Sequence, residues 1–185
     1  LLALARARGK TVFADNCAPC HGSGGAGAKG YPNLNDDDWL WGGTLDQIMQ
    51  TIQFGARSGN PKAHEGQMLA FGRDGVLKKD EIVTVANYVR SLSGLSTAPK
   101  FDAAAGKKIF AENCTSCHGE DGKGNQEVGA PNLTDKIWLY GSDEDTLVET
   151  ITNGRAGVMP AWVGRLDPVT VKAMAVYVHS LGGGK

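Results

Sequence analysis

Apolar side chains recur at helical spacing in several segments of this chain, and each such segment occurs twice. Leu45, Ile48, Met49 and Ile52 mark one face of a helix predicted over Thr44–Phe54. Leu147, Val148 and Ile151 hold the same face over Glu144–Thr152. Further on, Ile82, Val85, Ala86 and Val89 line a helix predicted over Lys79–Leu92, with a counterpart over Pro168–Leu181. Asp167-Pro168 is a strong start for the latter, aspartate as N-cap and proline in the first turn. Shorter helices are expected over residues 4–15 and 103–113. No stretch alternates convincingly with a period of two, so the expected fold class is all-α.

The doubling extends well beyond the helices. Cys17-Ala18-Pro19-Cys20-His21 returns as Cys114-Thr115-Ser116-Cys117-His118, and GKTVFADNC (9–17) as GKKIFAENC (106–114). PNL and WLWG in the first half answer to PNL and WLYG in the second, and YVRSL (88–92) answers to YVHSL (177–181). A repeat near ninety residues is a domain duplication, since solenoid units run about 20–50 residues. The expected domains are 1–94 and 103–185, with the Ser-, Thr- and Pro-containing stretch 95–102 as linker.

Composition sharpens this picture at one point. Two domains of this size, with 26 glycines and 7% aromatic residues in the whole chain, are short of material for self-sufficient cores. Something other than side chains is expected to fill them. Charge adds little: 19 basic against 20 acidic residues, without a basic patch, argues against nucleic acid as a partner. No apolar run is long enough to span a bilayer.

Two cysteines three apart followed at once by histidine form the attachment pattern of a covalent c-type haem. Residues i and i+3 share a helix face, so both sulfurs reach the vinyl groups of one porphyrin, and the next residue offers its imidazole to the iron. Cys17, Cys20 and His21 form one such site; Cys114, Cys117 and His118 form the other. A zinc site built from both pairs leaves the histidines unexplained, and a thioredoxin-type dithiol needs a βαβ context. Two haem c groups would also supply the missing core.

Opposite each histidine, an electron-carrying haem of this type usually takes a thioether sulfur. Met159, followed by Pro160 in GVMPAW, fits the second copy; Met174 falls inside a helical pattern and reads as core. In the first copy the corresponding residue is Met68, expected opposite His21. Leu69 follows it instead of proline, and His64 competes with it from the insertion SGNPKAHEGQ, which has no counterpart in the second copy.

These residues resemble one family, the dihaem cytochrome c subunit of cbb3-type haem–copper oxidases. The stretches that carry the resemblance are NCAPCHG, GYPNLNDDDWLWGG, NCTSCHG, APNLTDKIWLYG, NGRAGVMPAW and YVHSLGGG, together most of the chain. The resemblance implies two tandem class I cytochrome c domains on the periplasmic side of a membrane, behind an N-terminal anchor that would precede Leu1. It implies electron transfer from a donor cytochrome toward the oxidase catalytic subunit, with no catalysis at either haem. It also places Arg57 and Arg155 near haem propionates. Trp39 and Trp138 would pack on the haem edge or donate an indole N–H there. Competing readings are a free dihaem shuttle, a dihaem peroxidase with an open axial position, and a sensor exchanging Met68 for His64.

Overall fold

The structure, a computed structural model, describes residues 1–182; Gly183 and Gly184 of the YVHSLGGG stretch lie outside the described residues. In chain order the helices are α1 (Leu2–Asn16), α2 (Ala18–His21), α3 (Leu45–Phe54), α4 (Lys79–Leu92), α5 (Ala103–Asn113), α6 (Thr115–His118), α7 (Glu144–Asn153) and α8 (Pro168–His179). Between them run loops tied by isolated bridges, and no strand occurs among the described residues.

Local chemistry sets the helix ends. Thr44 and Gln47 form a reciprocal capping box at the start of α3. Asp143 caps α7 through the Thr146 N–H, and Asp167 caps α8 through the Val169 and Thr170 N–H groups. Asp167 also accepts from the Thr170 hydroxyl, which together with nearby Arg8 holds its carboxyl below the usual range. Both α3 and α7 stop at a glycine with positive φ, Gly55 (74°) and Gly154 (71°).

The helices assemble into two compact units, and these units cross the boundaries expected from the repeat. One comprises Leu1–Glu65 with the chain from Gly157 onward; the other is Gly66–Ala156. In the first, α8 packs on α1 and α3. Its core holds Phe13, Ile48, Ile52, Val171, Met174 and Val178. In the second, α4 packs on α5 and α7, around Ile82, Val85, Val89, Phe110, Leu147 and Ile151. Each copy therefore gives its last helix to the other copy's first helix.

The contacts are close enough to be specific. Gly9 on α1 lets α8 approach until a Cβ there would strike the Ala173 carbonyl and Tyr177 Cβ. Gly106 on α5 plays the same part, its missing Cβ lying 2.7 Å from Tyr88 Cβ. Phe13 meets the Tyr177 ring edge-on at 5.4 Å, and Phe110 meets Tyr88 at 5.5 Å. Each tyrosine thus packs on the first helix of the opposite copy.

The expected linker is bound into the second unit. Buried Asn87 accepts from the Ala98 N–H (2.8 Å) and donates to Glu144 (2.9 Å), while Arg90 donates to the carbonyls of Ser96 and Ser142. His179, the last residue of α8, is half-buried.

This exchange predicts how a nicked chain behaves. A protease site inserted at Pro99–Lys100 and cleaved should give two fragments that elute together at the intact mass, separating only in denaturant. Two halves that part and stay folded in native buffer would contradict the exchanged packing.

Candidate haem-binding sites

Each unit contains one Cys-x-x-Cys-His turn, one WLWG or WLYG segment and one methionine loop. Helix α1 ends at Asn16, and the four-residue turn α2 carries Cys20 and His21 round from Cys17. Helices α5 and α6 repeat this with Cys114, Cys117 and His118. The four thiols are free, Cys17 and Cys114 half-buried, Cys20 and Cys117 exposed. Burial, and then the neighbouring cysteine, pushes the Cys17 and Cys114 thiols up to about 11. That holds them protonated at neutral pH, away from the thiolate that metal binding or disulfide exchange uses. Among the described residues no three or more His, Cys, Asp or Glu side chains gather into a metal-holding group.

The Gly-rich loops set the histidines. Each folds back on the CxxCH turn, Gly27 N–H to His21 O (2.7 Å) and Gly124 N–H to His118 O (2.8 Å). The loop thereby brings a prolyl carbonyl to the ring: His21 Nδ1 lies 3.0 Å from Pro32 O, and His118 Nδ1 3.0 Å from Pro131 O. A carbonyl only accepts, so Nδ1 carries the hydrogen and Nε2 presents a bare lone pair. Burial lowers the His118 pKa, partly opposed by its bond to Pro131, so this ring is held neutral.

The methionines sit where the exchange puts them. Met159 and Ala56 exchange two backbone hydrogen bonds of 3.0 Å, and Met159 packs with Cys17, Ala18 and Trp39 on the first unit's core. Met68 and Arg155 are joined the same way (2.9 and 3.2 Å), and Met68 packs with Cys114 and Trp138 on the second. The expected pairing of Met68 with His21 is therefore corrected: Met159 shares a unit with His21, and Met68 with His118. The turn glycines Gly55 and Gly154 permit this, because a Cβ at either would run into the carbonyl of the facing methionine. His64 does not compete for Met68's place. It belongs to the first unit, its ring stacked on Trp41 (centroids 4.3 Å, 10°) and its Nε2 3.0 Å from Thr51 Oγ1.

Among the described residues three buried side-chain polar atoms lack a hydrogen-bond partner: Trp39 Nε1, Trp138 Nε1 and Arg155 Nη2. Such donors are costly unless something accepts from them. A group with carboxylates lying beside each tryptophan resolves all three, as the propionates of a haem would. The two arginines, however, are not equivalent. Arg155 aligns with Ala56 and not with Arg57, one residue out of step. Its guanidinium lies 4.2 Å over the Tyr140 ring and donates to Thr150 and Glu149. Arg57, with φ of 51°, donates Nε–H to the Gly157 carbonyl (2.6 Å) and stands 6.0 Å from the Trp41 ring.

Comparison with known proteins agrees with this geometry. Residues 6–93 match the cytochrome c family, and residues 101–178 match the family described as cytochrome c oxidase, cbb3-type, subunit III. The FixP subunit of the cbb3-type oxidase from Bradyrhizobium diazoefficiens is 84% identical over 185 residues. FixP from Azorhizobium caulinodans is 66% identical over the same span, and CcoP from Azospirillum brasilense 56% over 195 aligned positions. All of this chain is covered in each case, and it spans 64%, 62% and 65% of those relatives. The chain belongs to the family of cbb3-type oxidase subunit III. As two cytochrome c domains, it takes two haem c groups. The family matches follow the sequence repeats, whereas the folded units exchange their last helices and methionine loops.

Sequence reasoning missed the stack of His64 on Trp41 and the register shift between Arg57 and Arg155; only the latter was visible, in GAR against NGR. A glycine test separates close approach from strain alone. Gly124 has φ of +82°, and an added Cβ would lie 2.6 Å from Pro131 C. Gly124→Ala should cost about 1–3 kcal/mol in thermal unfolding of the haem-loaded protein. Gly59→Ala, with φ of +79° but open space around it, should cost less. Equal losses would remove the loop's approach to Pro131 as the cause.

Proposed function

We propose that this chain carries electrons one at a time between a donor cytochrome and the catalytic subunit of a cbb3-type oxidase. The supporting observation is that each core gathers a CxxCH turn with a pinned imidazole, a methionine anchored by paired backbone bonds and an indole N–H awaiting an acceptor. Haem c supplies the redox chemistry, its iron passing between ferric and ferrous states, with histidine and methionine ligation raising the potential.

The residues divide the remaining work. Cys17 and Cys20 attach one haem by thioether bonds, and Cys114 and Cys117 the other. His21 and Met159 would hold the iron in the first unit, and His118 and Met68 in the second. Pro32 and Pro131 fix the imidazole planes, so little reorganises when charge changes. Trp39, Trp138 and Arg155 hold propionates; Arg57 acts from farther out, braced on Gly157. A haem held by both a histidine and a methionine would leave no place for oxygen or peroxide to bind, which sets the reading apart from a peroxidase. A sensor based on exchange of Met68 for His64 loses its basis, because the two residues belong to different units.

No helix among the described residues is long and apolar enough to cross a membrane. The proposed location is the periplasmic face of the membrane that houses the oxidase, reached through an anchor or partner subunits.

Ligation can be tested haem by haem. Reduced wild-type protein should not bind carbon monoxide, and its NMR spectrum should place the Met159 methyl group over the haem attached beside His21. Met159→Ala should abolish the sulfur-to-iron charge-transfer band of that haem alone and open it to carbon monoxide; Met68→Ala should do the same at the other. Carbon monoxide binding by the native protein, or survival of both bands in either variant, would overturn the assignment.

A further inference from the structure

The two units differ most in what lies on the aromatic ring that ends the WLWG and WLYG segments. In the second unit the Arg155 guanidinium covers Tyr140 at 4.2 Å, a charge that no accessible pH removes. In the first, the His64 imidazole covers Trp41 at 4.3 Å, and Arg57 stands farther off at 6.0 Å. The insertion that has no counterpart in the second copy therefore sets an ionisable ring where its sister unit has a fixed cation.

His64 is held there firmly. Its N–H donates to the Gly55 carbonyl (3.1 Å) and its carbonyl accepts from Arg57 N–H (2.7 Å). Ala56 is thus bridged on one side to His64 and on the other to Met159. Two such bridge spacings put the His64 and Met159 backbones on the order of 10 Å apart. Thr51 donates its single hydroxyl hydrogen to Gln47 O (3.0 Å), leaving its oxygen to accept from His64 Nε2–H. The neutral ring therefore keeps its lone pair on Nδ1.

We propose that His64 is the redox-linked proton acceptor of the first unit, giving that haem, and not its partner, a pH-dependent potential. The proposal rests on the reading of a one-electron haem site with His21 and Met159. One electron arrives from the donor cytochrome, and a fraction of one proton passes from bulk water to His64 Nδ1. On reoxidation both leave, the electron to the acceptor and the proton to water. At this separation one unit of charge changes a proton affinity by roughly threefold to tenfold. A tenfold change corresponds to about 59 mV for one electron.

The charged groups around His64 set the range. The 55–57 segment brings Arg57, whose charge opposes protonation; burial opposes it more, and together they hold the pKa below the usual histidine value. Helix α3 meets the ring with Thr51 and the WLWG segment with Trp41, neither of them ionisable at these pH values. From its own loop come Glu65, next in sequence, and Lys62, which sits over the Phe54 ring. Protonated His64 favours the added electron. The potential is therefore high in acid, falls as pH rises through the His64 range below and around pH 6.5, and levels off when the ring is neutral in both redox states.

The test is haem-resolved potentiometry of the dihaem protein from about pH 5 to pH 8, alongside NMR titration of the His64 ring in both redox states. The first-unit haem should show the acid-side slope and the second should not. His64→Gln should flatten the first curve alone, and Arg57→Gln should move its window to higher pH. A slope that survives His64→Gln, or equal His64 pKa values in oxidised and reduced protein, would overturn the proposal. If His64→Gln loads haem poorly, the wild-type ring titration decides. Intact methionine bands and no carbon monoxide binding in the same samples would leave the electron-transfer reading standing even as this proposal fell.

Discussion

Two pairs of backbone hydrogen bonds, Ala56 with Met159 and Arg155 with Met68, decide which core each methionine joins. Everything downstream depends on them. The methionine loop leads directly into the last helix of its copy, so docking the loop on the opposite copy carries α8 to α1 and α4 to α5. The glycines that end α3 and α7 make the bonds possible, since the facing carbonyls come too close for any side chain. A small helical unit closes its core only if its last helix covers the first, and here the cover comes from the other repeat.

The two cores are alike in composition and differ at the rim. A Phe–Tyr ring pair, a pinned imidazole and an orphaned indole N–H recur in both. Beside Tyr140 the second unit places a permanent cation tied to Thr150 and Glu149. The one-residue shift of Arg57 leaves its guanidinium 6.0 Å from the Trp41 ring, with Nε–H donated to the Gly157 carbonyl. The space left on Trp41 goes to His64. The two candidate sites thus differ in the charge carried beside their second aromatic ring.

Much of this was legible in the sequence because it is local. Helix spans came within two residues of the observed ends, since amphipathic spacing and capping residues act over a few positions. The attachment turns followed from cysteine and histidine spacing for the same reason. The two methionine loops were marked by the pattern around Met159 and Met68, even with Leu69 where Pro160 stands in the other copy. Their partners were not. YVRSL and YVHSL present nearly the same face to nearly the same helices, so the repeat offers two pairings of similar local merit. Likewise nothing in the insertion foretold a histidine on a tryptophan, there being no matching segment to read it from.

Taken alone, the amino-acid sequence determined that this protein is all-α, duplicated and built to hold two haem c groups, because each of those properties is written in residues close together along the chain. Tertiary structure decided which methionine shares a unit with which histidine, which tyrosine covers which first helix and where the ionisable ring lies. Those choices turn on contacts between segments as much as 164 residues apart, Phe13 with Tyr177, where loop length and close backbone approach select between helix faces that their side chains barely distinguish.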